Sequence, residues 1–140
     1  MSKTKIEIIY QPCPGAQRSD DNIIVINKPT GVSVTKDRSG AAELADILAE
    51  QLGPQTAGQL RLVHRLDKDT SGVMILAKNK ETQSRFSSYF EKKLIKKTYL
   101  AIVDGIVADR QGTINTPLVR NRKNPALMCV ARKKGKEASI

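Results

Sequence analysis

The chain has 140 residues, of which 39% are hydrophobic and 27% are charged. These proportions are close to those of an average globular protein, and they exclude a disordered tail, a collagen-like repeat and a disulfide-stapled miniprotein. The formal net charge is +10, and residues 91–140 carry +8 of it. Such an asymmetry is typical of proteins that bind a polyanion, although charge alone leaves a merely solubilising basic surface as the alternative.

Nothing in the sequence indicates a membrane span or a secretory signal. No apolar run approaches the ~18 residues that a membrane helix needs, and Glu7 interrupts the apolar stretch near the N-terminus. Cys13 and Cys129 lie far apart without a partner motif, which is typical of free thiols in a reducing compartment. We therefore expect a cytoplasmic protein that does not bind membranes.

The first half of the chain predicts two strands and a helix. Apolar residues predict strands over Ile6–Tyr10 and Asn22–Asn27, and a Lys-Pro-Thr-Gly turn follows the second. Ser39 is placed to cap a helix whose apolar residues recur at helical spacing up to Leu52. Gly53 and the proline after it predict the end of this helix, and a loop follows.

Two further strands and a second helix follow the loop. The strands are expected over Leu60–Val63 and Val73–Ala77, and Asn79 is placed to cap the helix. One face of this helix is expected to carry Phe86, Phe90 and Leu94.

The remaining part of the chain returns to strands. They are predicted over Thr98–Val103, Gly112–Leu118 and Ala126–Ala131, with a hairpin turn over Lys133–Lys136. Strands and helices do not alternate regularly, which favours an α+β fold with a mixed, mainly antiparallel sheet and flanking helices. Since no repeat or linker divides the sequence, we expect residues 1–140 to form a single domain.

A polar segment with the sequence HRLDKDTSG, residues 64–72, lies between two apolar strands. Loops held by a rigid scaffold are where functional residues concentrate. Asp67, Asp69 and Ser71 match part of a calcium-binding loop, but Lys78 stands where that loop requires a glutamate. Calcium binding is therefore a poor explanation for this segment.

Other familiar chemistries also fit poorly. His64 is the only histidine, so a zinc site lacks ligands, and Ser71 lacks the sequence context of a hydrolase nucleophile. No glycine-rich phosphate-binding motif occurs in the sequence. We expect neither a metal nor a nucleotide cofactor.

A single carboxylate next to an arginine is what remains in this segment. Asp67 could act as a nucleophile or a base, and Arg65 could hold a phosphate through its planar guanidinium. A purely structural turn, with Gly72 supplying an unusual backbone angle, is the alternative that the residue types leave open.

Three ordered motifs carry a resemblance to a known family. HRLDKDTSG resembles the H-R-L-D-x-x-T-S-G signature of the RluA family of pseudouridine synthases. DDNIIVINKPTGV, residues 20–32, is similar to the family's first motif, and KKTYLAIVDG, residues 96–105, is similar to its second. The resemblance implies an RNA pseudouridine synthase, an isomerase with the pseudouridine synthase catalytic fold.

The resemblance also implies roles for individual residues. Asp67 would be the catalytic aspartate, Arg65 would help to extrude the target nucleotide and fill the gap, and Tyr99 would lie against the uracil ring. His64 would orient the loop. The isomerisation breaks and remakes one glycosidic bond without redox or phosphoryl transfer, so no cofactor is expected. The expected partner is structured RNA, first ribosomal RNA and second transfer RNA, bound by a monomer.

The chain departs from the family pattern at its end. The family's third motif, G-R-x-H-Q-I-R-V-H, contains an arginine that pairs with the catalytic aspartate, and no such motif precedes Ile140. We therefore expect a C-terminally truncated catalytic domain, without a separate N-terminal RNA-binding domain, that does not catalyse by itself. A non-catalytic, basic RNA-binding module or an inactive fragment is the alternative.

Overall fold

The computed structural model describes residues 4–12, 22–35, 43–125 and 127–131. The chain forms two compact units, Met1–Thr98 and Tyr99–Ile140. The predicted cap at Ser39, the hairpin turn at residues 133–136 and the thiol of Cys13 lie outside the described residues. A single domain over the whole chain stays a prediction.

An antiparallel sheet of four strands organises the first unit. The strands are β1 (Glu7–Tyr10), β2 (Ile23–Lys28), β3 (Arg61–Leu62) and β4 (Gly72–Ala77). Their order in the sheet is β1-β2-β4-β3, and every neighbouring pair is antiparallel. The predicted α+β class with an antiparallel sheet is confirmed.

Three helices accompany the sheet: α1 (Leu44–Leu52), α2 (Pro54–Gln59) and α3 (Lys80–Glu91). Gly53 ends α1 with a φ of 86°, as its position predicted. The loop expected after Gly53 is wrong, because residues 54–59 form α2. Proline is tolerated in the first turn of a helix, where its missing N–H has no intrahelical partner, so Pro54 begins α2 rather than preventing it.

The core lies between one face of the sheet and α1. Ile24 and Ile26 of β2 alternate with more exposed neighbours. In β4, Met74 and Leu76 are buried and the intervening Ile75 is more exposed, although Ala77 at the end of the strand is also buried. This period of two is what a sheet with one covered face requires. The core also includes Leu44 and Leu48 of α1, together with Ile6, Val32, Val34 and Leu66.

Helix α3 begins at the predicted cap and ends earlier than expected. The side-chain oxygen of Asn79 accepts a hydrogen bond from the Thr82 N–H at 2.8 Å. The helix ends at Glu91, and Lys93 adopts a left-handed φ of 55°. The expectation that Leu94 shares the apolar helix face is wrong, because it follows this reversal and is 67% exposed.

The second unit contains a two-stranded antiparallel ladder formed by β5 (Leu118–Arg120) and β6 (Met128–Val130). Strand β6 lies within the predicted Ala126–Ala131, whereas β5 overlaps the predicted Gly112–Leu118 only at Leu118. The strand predicted over Thr98–Val103 is absent from the described residues. No helix in the described part of the chain has the length and apolar character to cross a membrane.

Candidate active site

The loop between β3 and β4 is anchored by its apolar side chains and presents its charged ones to solvent. Val63 and Leu66 are 7% and 6% exposed, and Leu66 belongs to the hydrophobic core. Arg65 and Asp67, on either side of Leu66, have side chains that are 62% and 88% exposed. Burial of Leu66 therefore fixes the point from which both charged side chains project.

Arg65 and Asp67 lie close together in the structure. Arg65 Nη2 lies 3.9 Å from Asp67 Oδ1, a long and solvent-exposed ion pair of the kind that contributes about 0–1 kcal/mol. The Asp67 carbonyl accepts the Thr70 N–H at 3.1 Å, which closes a turn behind the carboxylate. The carboxylate itself stays accessible to a substrate.

A buried lysine lies at the end of β2 and connects this strand to the loop. Lys28 is 0% exposed, and its Nζ donates to the carbonyls of Pro29 at 3.0 Å, Val32 at 2.9 Å and Lys68 at 3.0 Å. An ammonium has three N–H donors, and here all three are used. Lys28 therefore joins the turn after β2 to the backbone one residue beyond Asp67.

Two further hydrogen bonds join the same turn to the same loop. The Gly31 N–H donates to the Lys68 carbonyl at 2.9 Å, and Thr30 Oγ1 donates to the Asp69 carbonyl at 3.1 Å. Gly31 has a φ of 81°, a left-handed angle that glycine adopts without strain. The loop backbone beside Asp67 is therefore supported from one side by the turn at residues 28–32.

The charge of Lys28 is set by its surroundings. Burial lowers the pKa of Lys28 from its ordinary 10.5, because a buried ammonium loses its hydration, while the carboxylates of Asp69 and Asp67 act in the opposite direction. The three carbonyl acceptors satisfy the protonated form. The positive charge of Lys28 thus lies beneath a loop that carries two exposed carboxylates.

His64 holds the start of the loop against the scaffold. Its Nε2 accepts the backbone N–H of Ile75 at 3.1 Å, and its ring stacks on Phe90 of α3 with 4.4 Å between ring centroids. Burial, and secondarily the positive charge of Lys97, lower the pKa of His64 below 6.5. A neutral imidazole is what the bond from Ile75 requires, because a protonated Nε2 cannot accept it.

Tyr99 begins the second unit and is 59% exposed. Its contact with a uracil ring stays a prediction, as do the catalytic role of Asp67 and the extruding role of Arg65. Within the described ranges no group of three or more His, Cys, Asp and Glu side chains could hold a metal ion. The thiol of Cys129 is free.

From its sequence context, Lys28 is expected only as part of a turn. Its position relative to the buried residues of β2 nevertheless indicates that its side chain is buried. Lys28 continues the period of two set by the buried Ile24 and Ile26, so the buried face of β2 predicts a buried lysine. No sequence pattern predicts the stacking of Phe90 on His64, because the sequence does not specify how α3 packs against the loop.

Comparisons with known proteins show which family the chain resembles. The family model described as RNA pseudouridylate synthase matches residues 22–140. The ribosomal large subunit pseudouridine synthase C of Rickettsia bellii is 40% identical over 103 residues, which cover 74% of this chain and 34% of that protein. The dual-specificity RNA pseudouridine synthase RluA of Vibrio parahaemolyticus is 38% identical over 117 residues, which cover 84% of this chain and 46% of that protein.

A solved structure shows the same relationship. Human RNA Pseudouridylate Synthase Domain Containing 4 matches with a TM-score of 0.66 and 26% identity, over 95% of this chain and 50% of that one. The chain thus spans between about a third and a half of the length of these proteins. The family model covers most of the chain, including the loop at residues 64–72 and the turn beneath it, and the chain belongs to the RNA pseudouridylate synthase family.

Proposed function

We propose that this chain is the catalytic portion of an RNA pseudouridine synthase, with Asp67 as its catalytic residue. One observation supports this most strongly. The Asp67 carboxylate is 88% exposed, on a loop whose apolar residue Leu66 is buried and whose backbone is held by Lys28. An accessible carboxylate on a fixed backbone is suited to nucleophilic or general-base chemistry.

The reaction requires little beyond this carboxylate. The C1′–N1 bond of uridine breaks, the uracil turns, and a new bond joins C1′ to C5. The proton lost from C5 and the proton gained at N1 balance, so substrate and product have the same atoms. Asp67 either attacks the nucleotide covalently or removes a proton and stabilises the charge that develops.

A stacked uridine cannot reach Asp67, so the target nucleotide has to leave the helix, which costs a few kcal/mol. We assign Arg65 to this step, because its exposed guanidinium lies 3.9 Å from the carboxylate and could fill the space that the extruded base leaves. By resemblance we assign Tyr99 to the uracil ring. No cofactor takes part in this scheme.

The substrate that we propose is structured RNA, with ribosomal RNA favoured over transfer RNA. The name of the Rickettsia bellii relative refers to the large ribosomal subunit, and the name of the Vibrio parahaemolyticus relative refers to dual specificity. The chain's net charge of +10 fits an RNA partner. We further propose that the protein acts as a monomer in the cytoplasm.

The test uses the complete product of the gene that encodes this chain. It is incubated with transcripts of large-subunit ribosomal RNA and, separately, with a pool of transfer RNA, and pseudouridine is mapped by carbodiimide modification and primer extension. We expect new stops at one or a few uridines in the ribosomal transcript. RNA binding without any new stop in either substrate would contradict the proposal and favour a non-catalytic RNA-binding module.

A further inference from the structure

Four lysines follow α3 within six residues. We name residues 92–97, with the sequence KKLIKK, the lysine turn. All four lysines are exposed, and none of them forms an ion pair with a carboxylate in the part of the chain that the structure describes. Within the described ranges, no carboxylate therefore neutralises their positive charge.

The backbone of the lysine turn is fixed by the end of α3. The Lys93 N–H donates to the Phe90 carbonyl at 3.1 Å, and the Leu94 N–H donates to the Tyr89 carbonyl at 2.9 Å. This is the hydrogen-bond pattern in which glycine usually takes the left-handed position, and here Lys93 takes it with a φ of 55°. A left-handed angle is unfavourable for a residue other than glycine.

The helix dipole accounts for part of this lysine cluster only. Cations are favoured near the last turn of a helix, which explains Lys92 and Lys93 directly after Glu91. The effect falls off within that turn, so it does not explain Lys96 and Lys97. The positions of Lys96 and Lys97 therefore require a different explanation.

Lys97 lies close to the loop that carries the candidate catalytic residues. Its Nζ lies 6.0 Å from the centroid of the Phe90 ring, within the range of a cation–π contact. The same ring stacks on His64 at 4.4 Å, and His64 directly precedes Arg65 in the chain. The ammonium, the phenyl ring and the imidazole thus connect the lysine turn to the first residue of the loop.

We propose that the lysine turn binds phosphates of the RNA strand beside the extruded nucleotide. The proposal rests on the proposed function for the identity of the RNA partner. Extruding a base requires that the backbone around it be held, and exposed, unpaired lysines next to the loop are suited to hold it. Lys97 makes the contact nearest to the loop, and the other three lysines of the lysine turn extend the surface along the strand.

The first experiment measures the affinity for the substrate RNA as a function of salt. The gene product carries Asp67→Asn, so that binding is measured without turnover. Each phosphate contact contributes about 0.7–0.9 to the slope of log K against log salt, so Lys96→Gln with Lys97→Gln is expected to reduce the slope by about 1.4–1.8. The matched control, Lys5→Gln with Lys80→Gln, removes two exposed lysines away from the lysine turn and is expected to leave the slope unchanged.

The second experiment uses His64, the only histidine in the chain, as a reporter. Because the charge of Lys97 lowers the pKa of His64, Lys97→Gln is expected to raise that pKa in the free protein. A phosphate bound to Lys97 has the same effect, so RNA is expected to raise the His64 pKa, measured by proton NMR, in the Asp67→Asn protein. In the protein that also carries Lys97→Gln, the rise is expected to be smaller.

The outcomes of these experiments distinguish a failure of the phosphate site from a failure of the proposed function. An unchanged salt slope in the Lys96, Lys97 variant, or an equal effect of RNA on His64 with and without Lys97, would overturn the phosphate site. Polyglutamate that binds as tightly as RNA through the same lysines would also overturn it, since the surface would then bind any polyanion. If the Lys96, Lys97 variant reduces the slope but the gene product with Asp67 intact forms no pseudouridine, the proposed function is refuted and the phosphate site is supported.

Discussion

The ammonium of Lys28 donates to the carbonyl oxygen of Lys68 at 3.0 Å, one residue beyond Asp67. The two residues are separated by 40 positions in the chain, and one is fully buried while the other lies in an exposed loop. A single side chain thus fixes the backbone beside the proposed catalytic carboxylate without touching that carboxylate.

Replacing this lysine tests how much the connection contributes. Lys28→Met keeps the approximate length of the side chain but removes the donors to Pro29, Val32 and Lys68. The carbonyls of Pro29 and Val32 lose this donor, whereas the Lys68 carbonyl keeps the Gly31 N–H. Polar groups left without partners inside a protein are costly, so we expect the free energy of unfolding to fall by about 3 kcal/mol, measured by urea denaturation. Lys5→Met, at an exposed position, is the matched control and should change it by less than about 0.5 kcal/mol. Equal effects of the two substitutions would show that Lys28 is not a structural anchor.

Replacing each of two glycines by alanine is expected to change the free energy of unfolding in opposite directions. Gly31 has a φ of 81°, and a Cβ added there would have no other atom within 4 Å, so Gly31→Ala meets backbone strain and no clash. We expect it to lower the free energy of unfolding by about 1–2 kcal/mol. Gly58 lies inside α2 with a helical environment and open space, so Gly58→Ala should raise it by about 0.5–1 kcal/mol. Chemical denaturation of both variants checks the signs, and stabilisation by Gly31→Ala would contradict the turn described here.

The lowered pKa of His64 predicts a loss of stability in acid. The unfolded chain binds a proton near pH 6.5, whereas the folded protein binds it only at lower pH. Between these two values the unfolded state holds more protons, so stability falls as the pH falls through this window. His64→Gln lacks the titrating group, and its melting temperature should decline less between about pH 7.5 and about pH 5. Parallel declines in the two proteins would contradict a neutral, half-buried His64.

The strands and helices that the sequence predicted well are those with a regular apolar period. Strands β2 and β4 and helices α1 and α3 each carry a buried or partly buried apolar face, and their local patterns indicate the element type without knowledge of the partner. The predicted strand over Thr98–Val103 also has a suitable pattern, yet Leu100 and Ile102 are fully exposed. A strand needs a neighbour to satisfy its backbone, and no local pattern reveals whether one is present.

The main residues of the candidate site could be predicted from the sequence. The contacts that hold them in place were harder to predict. Asp67 and Arg65 could be named because the loop sequence itself carries the family resemblance. The bond from Lys28 to Lys68 joins segments 40 residues apart, and the stacking of Phe90 on His64 joins a helix to a loop. Such long-range contacts depend on how elements pack, which a period of two or of 3.6 residues does not encode.

The most direct test of Asp67 as the catalytic residue compares Asp67→Asn with Asp69→Asn in the complete gene product. Both changes replace an exposed carboxylate by an amide in the same loop, so both proteins should fold with unfolding free energies within about 0.5 kcal/mol of the wild type. Pseudouridine formation in the RNA substrate is then measured by carbodiimide mapping. We expect Asp67→Asn to abolish the modification and Asp69→Asn to retain it. Modification that persists in Asp67→Asn would contradict the assignment of Asp67 as the catalytic residue.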